Sequence, residues 1–132
     1  MSLYNRTTRL IRITADPVFL DDESRPEDNY YVWAYTIKIE NTGEEVVQLL
    51  NRHWKITDAL GRVQEVRGPG VVGEQPILRP GDNFEYTSGT PLTTATGIMV
   101  GSYEMTTDSG EKFEVGVPAF SLDCPYAVHN VH

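Results

Sequence analysis

Three glycines at G-x-G-x-x-G spacing stand in Arg67-Gly68-Pro69-Gly70-Val71-Val72-Gly73-Glu74-Gln75-Pro76. Successive backbone N–H groups at Gly68, Gly70 and Gly73 are the material of an anion-binding nest, with Arg67 supplying charge. The dinucleotide-binding version of this spacing requires a helix immediately after it, because the helix N-terminus holds the pyrophosphate. Pro76 and Pro80 follow instead, with no apolar period of 3.6 residues, so the glycines read first as loop-formers between strands. Arg52-His53-Trp54 offers an acid/base group in His53. Its bland reading puts Trp54 in the core and both Arg52 and His53 on the outer face. No G-x-S-x-G elbow or other nucleophile signature accompanies it, so no catalytic residue is assigned and a non-enzymatic protein is expected. Oxygen ligands for a hard cation cluster at Asp21, Asp22, Glu23, Glu27 and Asp28, without the EF-hand spacing. Near the end of the chain, His129, His132 and Cys124 have the softness for Zn²⁺ or Co²⁺. Neither group makes a convincing centre, and no metal or cofactor is expected.

The elements that must position these residues have a period of two. Ile11, Ile13 and Ala15 alternate with polar residues. Tyr31, Trp33, Tyr35, Ile37 and Ile39 form the apolar face of a long strand, while Tyr30 lies on the opposite face, free to meet a partner. Between Val46 and Thr57 the apolar phase changes, with Val47 and Leu49 odd and Trp54 and Ile56 even, which requires a β-bulge near Leu49-Leu50. Arg62–Arg67 returns as a hairpin. Further strands are marked by Phe84, Tyr86 and Ser88, by Met99–Met105, and by Phe113, Val115 and Val117, with Phe120 and Leu122 covering an edge. Seven to eight short strands without a long helix predict an all-β, antiparallel β-sandwich.

The chain has 132 residues, which suits one domain spanning 1–132, with its core at about 8–122 and a C-terminal tail at 123–132. Net charge is −8, and the 11 basic residues are spread from Arg6 to Lys112, so neither nucleic acid nor an anionic membrane is expected as a partner. One cysteine forms no intramolecular disulfide, and no apolar run has the length of a signal peptide or membrane span; a cytoplasmic location is expected. A sandwich also exposes edge strands through which a homo-oligomer can assemble.

Leu78-x-Pro80-Gly81-x-x-Phe84 resembles the corner of fibronectin type III domains, with Phe84 at the tyrosine position and therefore without the locking hydroxyl. A longer resemblance runs through Tyr35–Gly43, Leu49-Leu50-x-Arg52-His53-Trp54, Glu65–Pro76, Phe84–Gly89, Pro91–Thr94 and Gly101–Met105. These segments look like the ApaG family, over roughly Thr8 to Leu122. The resemblance implies a fibronectin type III/immunoglobulin-like sandwich without an established reaction. It also brings a genomic neighbour, a diadenosine tetraphosphatase, and an attributed role in cobalt tolerance and magnesium efflux. Related domains in F-box proteins and in a protein that binds DNA polymerase delta look like protein-interaction modules. The first expectation is thus a module for an unidentified protein partner, contacting it through Arg67, Gly68, Gly70, Gly73, Glu74 and Gln75. The alternatives are binding of ATP or diadenosine tetraphosphate at the glycine loop, and binding of a divalent metal.

Overall fold

The computed structural model describes residues 4–125. Its strands are β1 (Tyr4–Thr8), β2 (Ile11–Phe19), β3 (Tyr31–Asn41), β4 (Val47–Asp58), β5 (Val63–Pro69), β6 (Ile77–Leu78), β7 (Asn83–Leu92), β8 (Thr96–Thr107) and β9 (Lys112–Asp123). They form two antiparallel sheets, ordered β1-β2-β3-β7 and β5-β4-β8-β9, with β6 pairing β4 beyond the end of β5. The apolar faces of the two sheets meet in one core, built around Trp33, Ile37, Ile39, Leu49, Tyr103 and Phe120. This is the sandwich that the alternating pattern predicts. Alternation works because a half-wet strand must bury every second side chain, and β3 does so from Trp33 to Asn41.

The phase change in β4 is a real bulge. Leu49 pairs with Met105 and Asn51 with Glu104, leaving Leu50 as the extra residue. The bulge has a second consequence. Residues two apart share a face, so Arg52 lies on the face of Trp54 and Ile56, not on the outer face with His53. Arg52 is therefore an inward-facing arginine, which corrects its assignment to the outer surface, while His53 faces outward as expected.

Three other features depart from expectation. Strand β1 has only partly buried ends and an exposed middle, so it carries no alternation to read. Its turn to β2 places Arg9 and Leu10 at φ 47° and 66°, a geometry that usually announces itself by glycine or asparagine. Phe120 and Leu122 do not cover an edge; they are fully buried core residues within β9. Finally, β9 runs through Asp123, and Cys124 is buried with its N–H donated to the Ala95 carbonyl, so the ordered sandwich continues into the segment read as tail.

Arg9 clamps the β1–β2 hairpin to the β8–β9 hairpin. It donates to both Glu111 carboxylate oxygens, at 3.0 and 3.2 Å, and lies 4.4 Å over the Phe113 ring. Those hydrogen bonds hold the Glu111 carboxyl below its ordinary pKa. The corner before β7 is locked from a different residue than in the fibronectin pattern. Asn41, 1% exposed, donates from Nδ2 to the carbonyls of Leu78 and Glu45, and its Oδ1 accepts the Gly43 N–H. A side-chain amide from β3 thus stands in for the hydroxyl that Phe84 lacks.

Candidate binding surfaces around Arg52 and Arg67

The glycine loop divides between two faces of the sandwich. Arg67 projects outward from β5, its side chain 71% exposed and 3.7 Å from Glu65. With His53, Asn51, Ser102, Glu104 and Glu114 it frames an open groove of about 480 Å³ on the outer face of the five-stranded sheet. The groove's polar groups are largely tied to one another: Asn51 donates to Glu104 at 2.7 Å and Ser102 to Glu114 at 3.2 Å. His53 stands opposite Ser102 in the β4–β8 register, but the serine hydroxyl is directed to Glu114. His53 Nε2 has no hydrogen-bond partner and lies 3.8 Å from a Glu65 oxygen. A hydrogen-bonded nucleophile–base pair is thus missing at this histidine.

Each loop glycine has its own structural reason. Gly68 lies beneath Arg52: a Cβ there would come within 3.0 Å of both Nη1 and Nη2. Gly70 has φ +61°, and a Cβ would fall 2.3 Å from the Glu74 carbonyl oxygen. Gly73 has φ +81° in open surroundings. The Gly70 N–H is donated to Leu50, while Val71 and Glu74 exchange N–H and C=O across a two-residue turn, so these three amides are already engaged. Val71 inserts into the core at 1% exposure and anchors the loop. Gln75 donates from Nε2 to the Leu50 carbonyl, leaving Glu74 as an exposed turn residue. No helix follows the loop.

The inward side carries a feature that motif reading misses. Arg52 Nη1 donates to the carbonyls of Pro69 and Gly70, at 2.9 and 3.0 Å. Across the sheet it stands between Gly68 and Tyr103. Tyr103 hydrogen-bonds to Tyr86 of the opposing sheet. Burial pushes both phenols above their ordinary pKa, and Tyr35 likewise. Arg52 lines two hollows between the sheets, which both include Tyr35, Trp54 and Ser88. The available signal was the phase change itself, which turns an arginine toward the core.

Asp21, Asp22 and Glu23 form an exposed single turn, and Pro26–Asp28 another. Among the described residues, no three His, Cys, Asp or Glu side chains converge as a metal site. His129 and His132 lie outside the described residues. Tyr30 is 44% exposed beside these turns.

The family model described as the ApaG domain matches residues 21–107. The chain belongs to the ApaG family. An ApaG protein of Paramagnetospirillum magneticum is 63% identical over 124 residues, covering 94% of this chain and 95% of the relative. One from Parvibaculum lavamentivorans is 62% identical over 130 residues, covering 98% and 100%. A crystal structure from Bordetella pertussis, described as an ApaA protein, superposes with a TM-score of 0.85 at 45% identity, covering 94% of this chain and 97% of the other. A second X-ray structure gives 0.85 at 41% identity, covering 96% of each. The sandwich is thus shared with both of these solved structures over most of the chain. No helix among those residues is long and apolar enough to cross a membrane.

Proposed function

We propose that this ApaG domain is a non-enzymatic interaction module whose protein partner seats on the outer groove framed by His53, Arg67, Glu104 and Glu114. The observation that carries this reading is the groove itself: a concave strip of mixed charge on a rigid sheet, with Arg67 extended at its rim. Recognition in such folds comes from polar and charged groups that the scaffold holds still, and arginine is enriched at such contacts. Edge strand β5 borders the groove, so an extended partner segment can add main-chain hydrogen bonds there. The cytoplasm is the proposed location. The link to cobalt tolerance and magnesium efflux fits this reading as an indirect effect of a partner.

The test is affinity capture from a cell extract with wild type, Arg67→Glu and Asp16→Arg, the last being an exposed site on the other sheet. A protein retained by wild type and Asp16→Arg but lost from Arg67→Glu is the expected result. Identical captures by all three would remove the groove as the contact face.

A further inference from the structure

We propose that the cleft between the sheets at Arg52 binds a small organic anion, with a single phosphate or carboxylate group on the guanidinium and an apolar remainder against Trp54, Ile56, Val66 and Met99. Arg52 also reaches the lining of the outer groove, but Tyr35, Trp54, Tyr86 and Ser88 belong to the inner hollows alone, and Arg67 to the groove alone.

The guanidinium is held as a receptor would hold it. Nη1 donates to two carbonyls, and the missing Cβ of Gly68 lets the group lie against the β5 backbone. That leaves Nε–H and the Nη2 N–H groups, the geometry that meets an oxyanion with parallel hydrogen bonds. Among the described residues Arg52 has no ion pair, although the chain carries 19 acidic residues against 11 basic ones. A half-buried arginine without a counter-ion has given up part of its hydration with no carboxylate in return.

The hydroxyls nearby point to the same ligand class. Tyr86 and Tyr103 together carry two phenolic protons, and their mutual hydrogen bond uses one. The other is available to an acceptor. Tyr35 stands opposite Ser88 in the β3–β7 register, which adds two further hydroxyls at the edge of β7. The charge of Arg52 acts on all three phenols, so these groups share one electrostatic site.

Size and lining define the ligand further. The hollow bounded by Arg52, Tyr86, Ser88, Val71, Val72 and Gly73 holds about 200 Å³, enough for one oxyanion head. The hollow that shares Arg52 with it holds about 280 Å³ and is lined by Trp54, Ile56, Val66, Pro91 and Met99 along with Gln64, Ser88 and Thr90, so a ring or short alkyl chain meets apolar side chains beside a few hydroxyl and amide groups. No lysine and no second arginine lines either space, which selects a single anionic group over a polyphosphate chain. At the mouth stands Val72 with φ 44°, a β-branched residue in the left-handed region. Such strain concentrates at ligand sites, where the surrounding structure enforces it.

The test uses the full chain labelled with ¹⁵N-arginine, following the Arg52 Nε–Hε resonance during titration with benzoate, phenyl phosphate, inorganic phosphate and benzyl alcohol. The expected result is a saturable shift at millimolar benzoate or phenyl phosphate, at least roughly tenfold tighter than for benzyl alcohol, because the alcohol lacks the charge-assisted pair. A preference between the two aromatic anions tells carboxylate from phosphate, and weaker binding of inorganic phosphate reports the apolar hollow. Arg52→Lys keeps the charge and loses the fork, so it weakens the anions by roughly tenfold. Tyr86→Phe, which removes a single oxygen, weakens them severalfold and serves if the lysine variant does not fold. An Arg52 resonance that stays still with both aromatic anions overturns the proposal, as does equal binding of anion and alcohol.

Discussion

Gly70 and Val72 sit two residues apart, both at positive φ, with opposite consequences for stability. At Gly70 a Cβ would strike a backbone carbonyl, which no side-chain rotation can relieve. Gly70→Ala is expected to cost about 2 kcal/mol or more, whereas Gly73→Ala, at positive φ with free space around it, costs about 1 kcal/mol. Chemical denaturation of the two variants side by side measures the difference; equal losses would mean that the turn relaxes around Gly70. Val72 occupies a position where glycine or asparagine belongs, so Val72→Asn should stabilise the protein by about 1 kcal/mol, a rise of about 4 °C in Tm. If that gain coincides with weaker binding of anions in the cleft, the strain at Val72 serves the ligand. From sequence, the glycines are legible as loop-formers but not individually. The roles of Gly68 and Gly70 depend on Arg52 and on the Glu74 carbonyl, contacts that no spacing rule supplies.

The strands show how far alternation carries and where it stops. The apolar faces of β2, β3 and β8 are readable because each has one wet side. The bulge in β4 is readable too, since the odd and even apolar sets need an extra residue between them. The same phase places Arg52 inward, but charge prejudice puts an arginine outside, and here the pleat wins because Nη1 finds two carbonyl partners. β1 was not readable, because an edge strand with an exposed middle has no buried face to alternate. The β3-to-β7 corner depends on Asn41, which sits in phase with the core although it is polar. Asn41→Leu keeps the volume but leaves the Leu78 carbonyl without its partner in a buried setting, and the Glu45 carbonyl and Gly43 N–H without theirs in a half-buried one. A loss of about 3 kcal/mol is expected, measured by urea denaturation, with little change in m-value. A loss under about 1 kcal/mol would mean that water or the backbone replaces the amide.

Across the whole sandwich, the two sheets are joined at the core by aromatic packing, Tyr35 against Trp54 and Phe120, and by polar contacts that include the Tyr86–Tyr103 hydroxyl pair. This gives the fold an alkaline limit. Burial is the largest cause raising Tyr86 and Tyr103, and it raises Tyr35 as well. In the unfolded chain these phenols ionise near pH 10. A group whose folded pKa is raised contributes its full stability below the unfolded value; above about pH 10 that contribution falls as the unfolded state releases its protons first. Unfolding in base should therefore be cooperative, with the tyrosinate absorbance of these rings appearing together with the loss of circular dichroism. Tyr103→Phe removes one of these ionisations and should make stability fall less steeply with pH in that range, even though it loses a hydrogen bond and lowers stability at pH 7. The comparison is a set of urea melts of wild type and Tyr103→Phe from pH 7 upward. Parallel curves would show that the Tyr103 hydroxyl ionises within the folded sandwich, which requires water to reach a side chain that is fully buried in the packed sheets.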